Sequence, residues 1–156
     1  MTKSEIVSAV RDFLDSDDWN YDYNDERCFI KCGVNLKCKL QSIQLYVNFN
    51  DNGYSVYAIC KLNADTEVRN TVNEYLARAN YGLRNGNFEM DFSDGEVRYK
   101  CYVNTKGLDV IPTEIIDDSI SIPCAMFDRY GNGLAAILMG FSDPATEIEK
   151  AEEDTR

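Results

Sequence analysis

Across residues 68–103 the spacing of apolar side chains changes once, from steps of three and four to strict alternation. That change dictates a helix followed by a β-hairpin. Val68, Val72, Tyr75, Leu76, Ala79 and Leu83 form one helical stripe, and Gly86 offers its exit. Phe88, Met90 and Phe92 then alternate with Asn87, Glu89 and Asp91; Ser93-Asp94-Gly95 turns the chain, and Val97, Tyr99, Cys101 and Val103 bring it back. A strand with one apolar face needs that face covered, so the passage requires a sheet with a helix packed on it.

The preceding residues extend the same sheet. Thr2-x-x-Glu5 is a capping box ahead of the stripe Ile6, Val7, Val10, Phe13 and Leu14. Trp19, Tyr21 and Tyr23 alternate with polar residues, as a short strand or an extended lead-in would. From 27 to 40 the apolar residues hold even positions; from Ile43 on, Ile43, Leu45, Val47 and Phe49 hold odd ones. A period-two pattern changes parity only at a bulge or turn, so two strands meet near Gln41. Asn50-Asp51-Asn52-Gly53 is a hairpin turn, and a third strand covers 54–62. Asn63 or Asp65 is positioned to cap the helix that follows.

Beyond Gly107, Pro112-Thr113 opens a last helical region with the stripe Ile116, Ile120, Pro123, Phe127, Tyr130, Leu134, Ile137 and Phe141. Pro123 lacks an N–H and should kink this helix or begin a new one. Asp143-Pro144 supplies a cap and a first helical position. The reading is one α+β domain over 1–142: helix, three strands, helix, two strands, helix, with a mainly antiparallel five-stranded sheet. Residues 143–156 form an acidic tail, frayed or helical.

A chain of 156 residues buries roughly two-thirds of its unfolded surface. Its net charge of -11 repels phosphate backbones, which argues against nucleic acid and anionic membrane as partners. Basic proteins, or apolar segments that need solubilising, fit better. The Met1 end has no charged-then-apolar leader and no apolar run reaches the length of a membrane span, so a cytoplasmic protein is expected.

Histidine is absent, which removes the commonest general base and metal ligand. Cys28, Cys32, Cys38, Cys60, Cys101 and Cys124 include no Cys-x-x-Cys pair; most fall in phase with core positions, so they read as small buried hydrophobes rather than redox or metal groups. Asp22-x-Asn24-x-Glu26 starts like a calcium loop but has Arg27 and Gly33 where glycine and glutamate are required. Gly131-Asn132-Gly133-Leu134-Ala135-Ala136 spells a dinucleotide fingerprint inside a helical stripe, where small residues instead let the helix lie close to the sheet. The carboxylates Asp91, Asp94 and Glu96 sit at a hairpin tip, in water. No cofactor or metal is expected, and no enzyme activity; a cysteine- or carboxylate-dependent enzyme is the least favoured alternative.

Two groups of residues stand out as interaction candidates. Tyr46, Tyr57 and Tyr102 fall opposite the buried phase of their strands, either scattered on the surface or at an interface. Asn80, Asn85, Gly86 and Asn87 tolerate left-handed geometry and can satisfy helix-terminal carbonyls. With Arg84 and Arg98 they form either a structural or a binding motif.

The passages 77–82, 85–91 and 94–100, with Asp117-Asp118-Ser119-Ile120 and Met126-Phe127-Asp128-Arg129-Tyr130-Gly131, resemble the YbjN family of bacterial sensory-transduction regulators. The resemblance implies a fold similar to type III secretion chaperones, which are small, acidic and often dimeric. It brings no active site. The function expected is a non-catalytic protein-interaction module, chaperone-like or regulatory and homodimeric. The alternative is a small-ligand sensor with a pocket between the sheet and the last helix.

Overall fold

The computed structural model describes residues 1–153. Helix α1 (Lys3–Ser16) starts at the expected capping box: Thr2 Oγ1 accepts from Glu5 N–H, and the Glu5 carboxylate accepts from Thr2 N–H at 2.6 Å. Six antiparallel strands follow, not five: β1 (Asp22–Asn24), β2 (Phe29–Asn35), β3 (Ser42–Asn50), β4 (Gly53–Cys60), β5 (Asn87–Met90) and β6 (Val97–Asn104). The extra strand is β1, whose three residues pair with Phe29, Ile30 and Lys31. The alternation of Trp19, Tyr21 and Tyr23 leaves a short strand or an extended lead-in open here, and only Asp22–Asn24 pair. The sheet order is β1-β2-β3-β4-β6-β5, so β6 is inserted between β4 and β5.

The parity change reads correctly in β2 and β3. Ile30 and Cys32 on one strand, and Ile43, Leu45, Val47 and Phe49 on the next, line the same buried face. Gln41 makes the reversal with φ +67°. The strand expected over 27–40 is shorter, however: residues 36–41 form a loop, and Cys38 is buried there by helix rather than by sheet.

A 3-10 turn (Thr66–Val68) leads into α2 (Arg69–Asn80). Neither expected cap works. The Asp65 side chain makes no capping bond, and Asn63 Nδ2 donates to Asp94 O, tying β4 to the β5–β6 hairpin. Helix α3 (Thr113–Leu138) runs unbroken through Pro123, so that residue does not split it. It stops three residues before Phe141, which is 84% exposed instead of joining the stripe. Gly140, at φ +73°, ends it. Helix α4 (Pro144–Glu152) begins as read, with Asp143 Oδ1 accepting from Thr146 N–H at 3.0 Å, and packs on α2 and α3. Thus most of the expected tail is an ordered helix; 154–156 lie outside the described residues.

Helix α1 packs on β3 and β4, α3 on β4 and β6, and α2 on β5, around one hydrophobic cluster. Gly131 and Gly133 permit close approach, though not to the sheet. A Cβ at 131 would strike Cys38 in the β2–β3 loop; one at 133 would strike Tyr75 of α2 and Glu147 of α4. Tyr75 Oη uses that opening to donate to Tyr130 O at 2.7 Å, which satisfies a buried phenol.

Candidate interaction edge and open sheet face

The structure separates the residues of the 80–98 motif into distinct roles. Asn80, at the end of α2, closes the outer edge of β5: its Oδ1 accepts from Phe88 N–H at 2.7 Å, and its Nδ2 donates to Phe88 O at 2.8 Å. A carboxamide thus takes the place of a neighbouring strand. Asn87 Nδ2 adds a second donor to the same carbonyl at 3.1 Å. Gly86, at φ +84°, turns the chain away from β6, where a Cβ would meet Lys100 O and the Tyr99 ring. Asn85 O then accepts from Tyr99 Oη at 2.5 Å. Arg98 faces the other side of the sheet, bonded to Glu89 at 2.6 Å with its guanidinium 4.5 Å from the Tyr57 ring centroid. Arg84 is exposed and joins none of these contacts. The six residues therefore do not converge on one site.

What Gly86 leaves behind is an unpaired strand edge. β5 covers β6 only from Val97 to Lys100, whereas β6 continues to Asn104. Asp91 N–H donates to Glu96 O, so the even-numbered residues of β6 direct their main chain toward β5; Thr105 N–H donates to Asn52 O, so the odd ones face β4. Tyr102 and Asn104 consequently aim N–H and C=O groups into the open. Among the described residues neither strand nor side chain pairs with them. A cleft of about 260 Å³ runs along this edge, lined by Asn85, Tyr102, Val103 and Asn104 and, from α3, Ile115 and Asp118. Tyr102 is 51% and Ile115 39% exposed at its mouth.

A larger groove of about 460 Å³ lies between α3 and α4, but its polar lining already serves the fold. Asp128 Oδ1 accepts from Lys37 N–H at 2.6 Å and Cys38 N–H at 3.2 Å, and Asn132 Oδ1 accepts from Lys39 N–H at 2.8 Å. Glu147 accepts from Ser142 and Lys150.

The face of the sheet away from the helices carries Phe29, Tyr46, Tyr57 and Ile59, none of which packs against the core cluster. Tyr46 and Tyr57 are direct cross-strand neighbours rather than scattered residues. Lys31 lies 5.7 Å from the Tyr46 centroid, and Tyr46 lies 5.9 Å from Phe29. Basic and acidic side chains balance here: Lys31, Arg98 and Lys100 accompany Asp22, Glu89 and Glu96.

All six cysteines are free. Burial pushes the Cys32 and Cys101 thiols up to about 11 and Cys124 to about 12. Among the described residues no three Cys, Asp or Glu side chains gather as a metal site, and no helix is long and apolar enough to cross a membrane.

The β6 edge was outside the sequence reading, apart from Tyr102 and Asn85. Its one signal was a mismatch: the alternating run returning from the turn reaches Val103, whereas Gly86 halts the outgoing run. No protein-family model matches this chain, and no curated protein matches it.

Proposed function

We propose that this protein is a non-catalytic polypeptide-interaction module, chaperone-like or regulatory, whose docking element is the open half of β6. The observation that carries this reading is the unpaired main chain of Tyr102 and Asn104 beside a cleft. Main-chain N–H and C=O groups in a row are complementary to an extended polypeptide, which can add a short strand there. The upshifted thiols of Cys32, Cys101 and Cys124 support a role in which these three are not nucleophiles, because their thiolate is suppressed near neutral pH. Six free cysteines support a reducing, cytoplasmic setting. The resemblance to the YbjN family, and through it to type III secretion chaperones, supports the same reading and adds a homodimer, which light scattering tests.

The decisive comparison is Tyr102→Pro against Tyr102→Ala. Proline deletes the outward N–H without removing a ladder bond to β4, whereas alanine keeps that donor. In fluorescence-anisotropy titrations with extended twelve-residue peptides, binding survives in the alanine variant and is lost in the proline variant, with both folded by circular dichroism. Equal binding by both variants would refute the edge as the docking element.

A second reading is favoured by the cleft's position between the sheet and α3: a small-ligand sensor. A metabolite thermal-shift screen tests it, since a ligand held there raises Tm by mass action. A flat screen sinks it.

A further inference from the structure

We infer that the open sheet face packs on the same face of a second copy, about a two-fold axis running along β3. This deepens the homodimer part of the reading above and leaves the β6 edge free. Gly33 is the starting point. It lies inside β2, on the side of the sheet away from the helices, and its backbone is not left-handed. Among the described residues a Cβ there would meet nothing within 4 Å, so nothing inside the chain calls for glycine. A glycine within a strand weakens it and often marks a close approach by another backbone or ligand.

The strand register selects the occupant. Directly opposed residues share one side of the sheet, so the outer face is a set of rows running across the strands. The middle row reads Asp22, Lys31, Tyr46, Tyr57, Lys100. On one side of it lies Gly33, Gln44, Ile59, Arg98; on the other, Phe29, Asn48, Ser55, Tyr102. A two-fold contact lays a patch on its own reversal. Reversed about β3, Tyr46 meets Tyr46, Lys31 meets Tyr57 and Asp22 meets Lys100. In the flanking rows Ile59 falls on Gly33 and Phe29 on Ser55, a large side chain on a small one each time. Asp22 is exposed and joins no ion pair among the described residues. Lys100 gives one donor to Glu89, and an ammonium has three. Lys31 reaches the Tyr57 ring beside Arg98, whose charge Glu89 already offsets. The neighbouring arrangements fail. An axis between β3 and β4 sets Lys31 on Lys100, and one crossing the strands at the middle row sets each lysine on itself.

Charge and area agree with this choice. The net charge of -11 makes two copies repel, but Lys31, Arg98 and Lys100 cancel Asp22, Glu89 and Glu96 on this face, so repulsion is weakest here. Strands β2, β3, β4 and β6, about 4.8 Å apart and about 27 Å long, offer about 500 Å² per copy. Two copies then bury about 1,000 Å², enough for a specific but weak and reversible dimer.

The experiment follows self-association of the full chain by sedimentation velocity, from micromolar to sub-millimolar concentration. Gly33→Val fills space that is open in the single chain but taken by Ile59 in the pair. It should leave Tm unchanged or higher and weaken the dimer at least about ten-fold, the scale of one overpacked contact. Asp22→Lys, at an exposed position of the edge strand, should weaken it as well, and adding Lys100→Glu should restore much of the loss. A dimer that neither Gly33→Val nor Asp22→Lys weakens overturns this face while leaving the homodimer standing. A monomer throughout the range overturns both, and the β6 edge is then judged by its own peptide titration. Dimerisation that Tyr102→Pro abolishes and Gly33→Val spares moves the contact to the β6 edge and overturns this inference. An unlike protein that binds a monomeric chain and is blocked by Gly33→Val becomes the occupant, and overturns the second copy.

Discussion

Replacing Asn80 with alanine removes the side chain that stands in for a strand beside β5. Phe88, whose main chain it holds, is only 2% exposed, so water replaces the lost partners poorly. The two lost bonds are not equivalent. Phe88 O keeps the Asn87 donor at 3.1 Å, whereas among the described residues Phe88 N–H has no other acceptor. An orphaned buried N–H costs about 1–3 kcal/mol, and weakening the doubly served carbonyl adds roughly 0.5. Alanine's better helix propensity at the last residue of α2 returns about 0.5 kcal/mol. The net is about 2 kcal/mol, or a Tm lower by roughly 4–8 °C for a chain of this size. Asn80→Asp keeps the acceptor and loses only the donor to the doubly served carbonyl, so a loss of only about 0.5 kcal/mol is expected. In Asn80→Ala/Asn87→Ala the carbonyl is orphaned too, and the double variant should cost more than the sum of the singles. Urea unfolding followed by circular dichroism measures all three. A loss below about 0.5 kcal/mol for alanine, or an aspartate variant as unstable as alanine, would refute the edge-closing account.

Three other positions test the packing. Gly133→Ala places a methyl against Tyr75 Oη and the Glu147 stem, and should destabilise by about 1–3 kcal/mol, with α4 amides exchanging faster than those of β3; uniform exchange would contradict the close approach. Asp128→Ala frees the N–H groups of Lys37 and Cys38, so hydrogen exchange should accelerate at those two amides more than at Lys39, which Asn132 still holds. Glu89 is raised by partial burial but lowered further by hydrogen bonds from Lys100 and Arg98, and ends below its ordinary value of 4.5. A depressed folded pKa means stability that is complete above 4.5 and lost as pH falls through the folded value; Glu89→Gln should flatten that stretch of the stability–pH curve, and an unchanged curve would show that the pair contributes nothing.

The sequence made the core legible wherever a period was sustained. The β2–β3 parity change, the β5–β6 hairpin and the Asp143 cap all follow from local pattern. It misled where burial came from a different partner. Cys38 and Leu40 keep the alternation of β2, yet α3 presses on them through Gly131, so the pattern continued after the strand had ended. Phe141 keeps the helical spacing of α3 past the point where Gly140 ends it. Asn63 looks like a cap in sequence, but its side-chain amide donates to Asp94 O at the hairpin tip, and helical structure starts only at Thr66. For the candidate site, the geometric role of Gly86 was legible, and its consequence was not. A strand that stops early matters only if its neighbour continues, and that required knowing that β6 is inserted between β4 and β5.

The segment from Asn80 to Asn87 closes one edge and opens another, and the two effects depend on each other. Had the chain continued straight from Gly86, Asn85 would have fallen opposite Tyr102 and paired with it, because β5 and β6 keep a constant antiparallel register. Instead the left-handed Gly86 lifts Asn85 away, and its carbonyl is taken by Tyr99 Oη and, more weakly, by Cys101 Sγ at 3.7 Å. The opening is therefore held by hydrogen bonds from β6 itself. Tyr99 is 1% exposed and its ring packs 4.8 Å from Phe88, so the anchor is fixed in the core. An edge held open in this way enters a complex already ordered. Most of the conformational entropy lost on docking then falls on the incoming segment, which favours partners that are extended before they arrive.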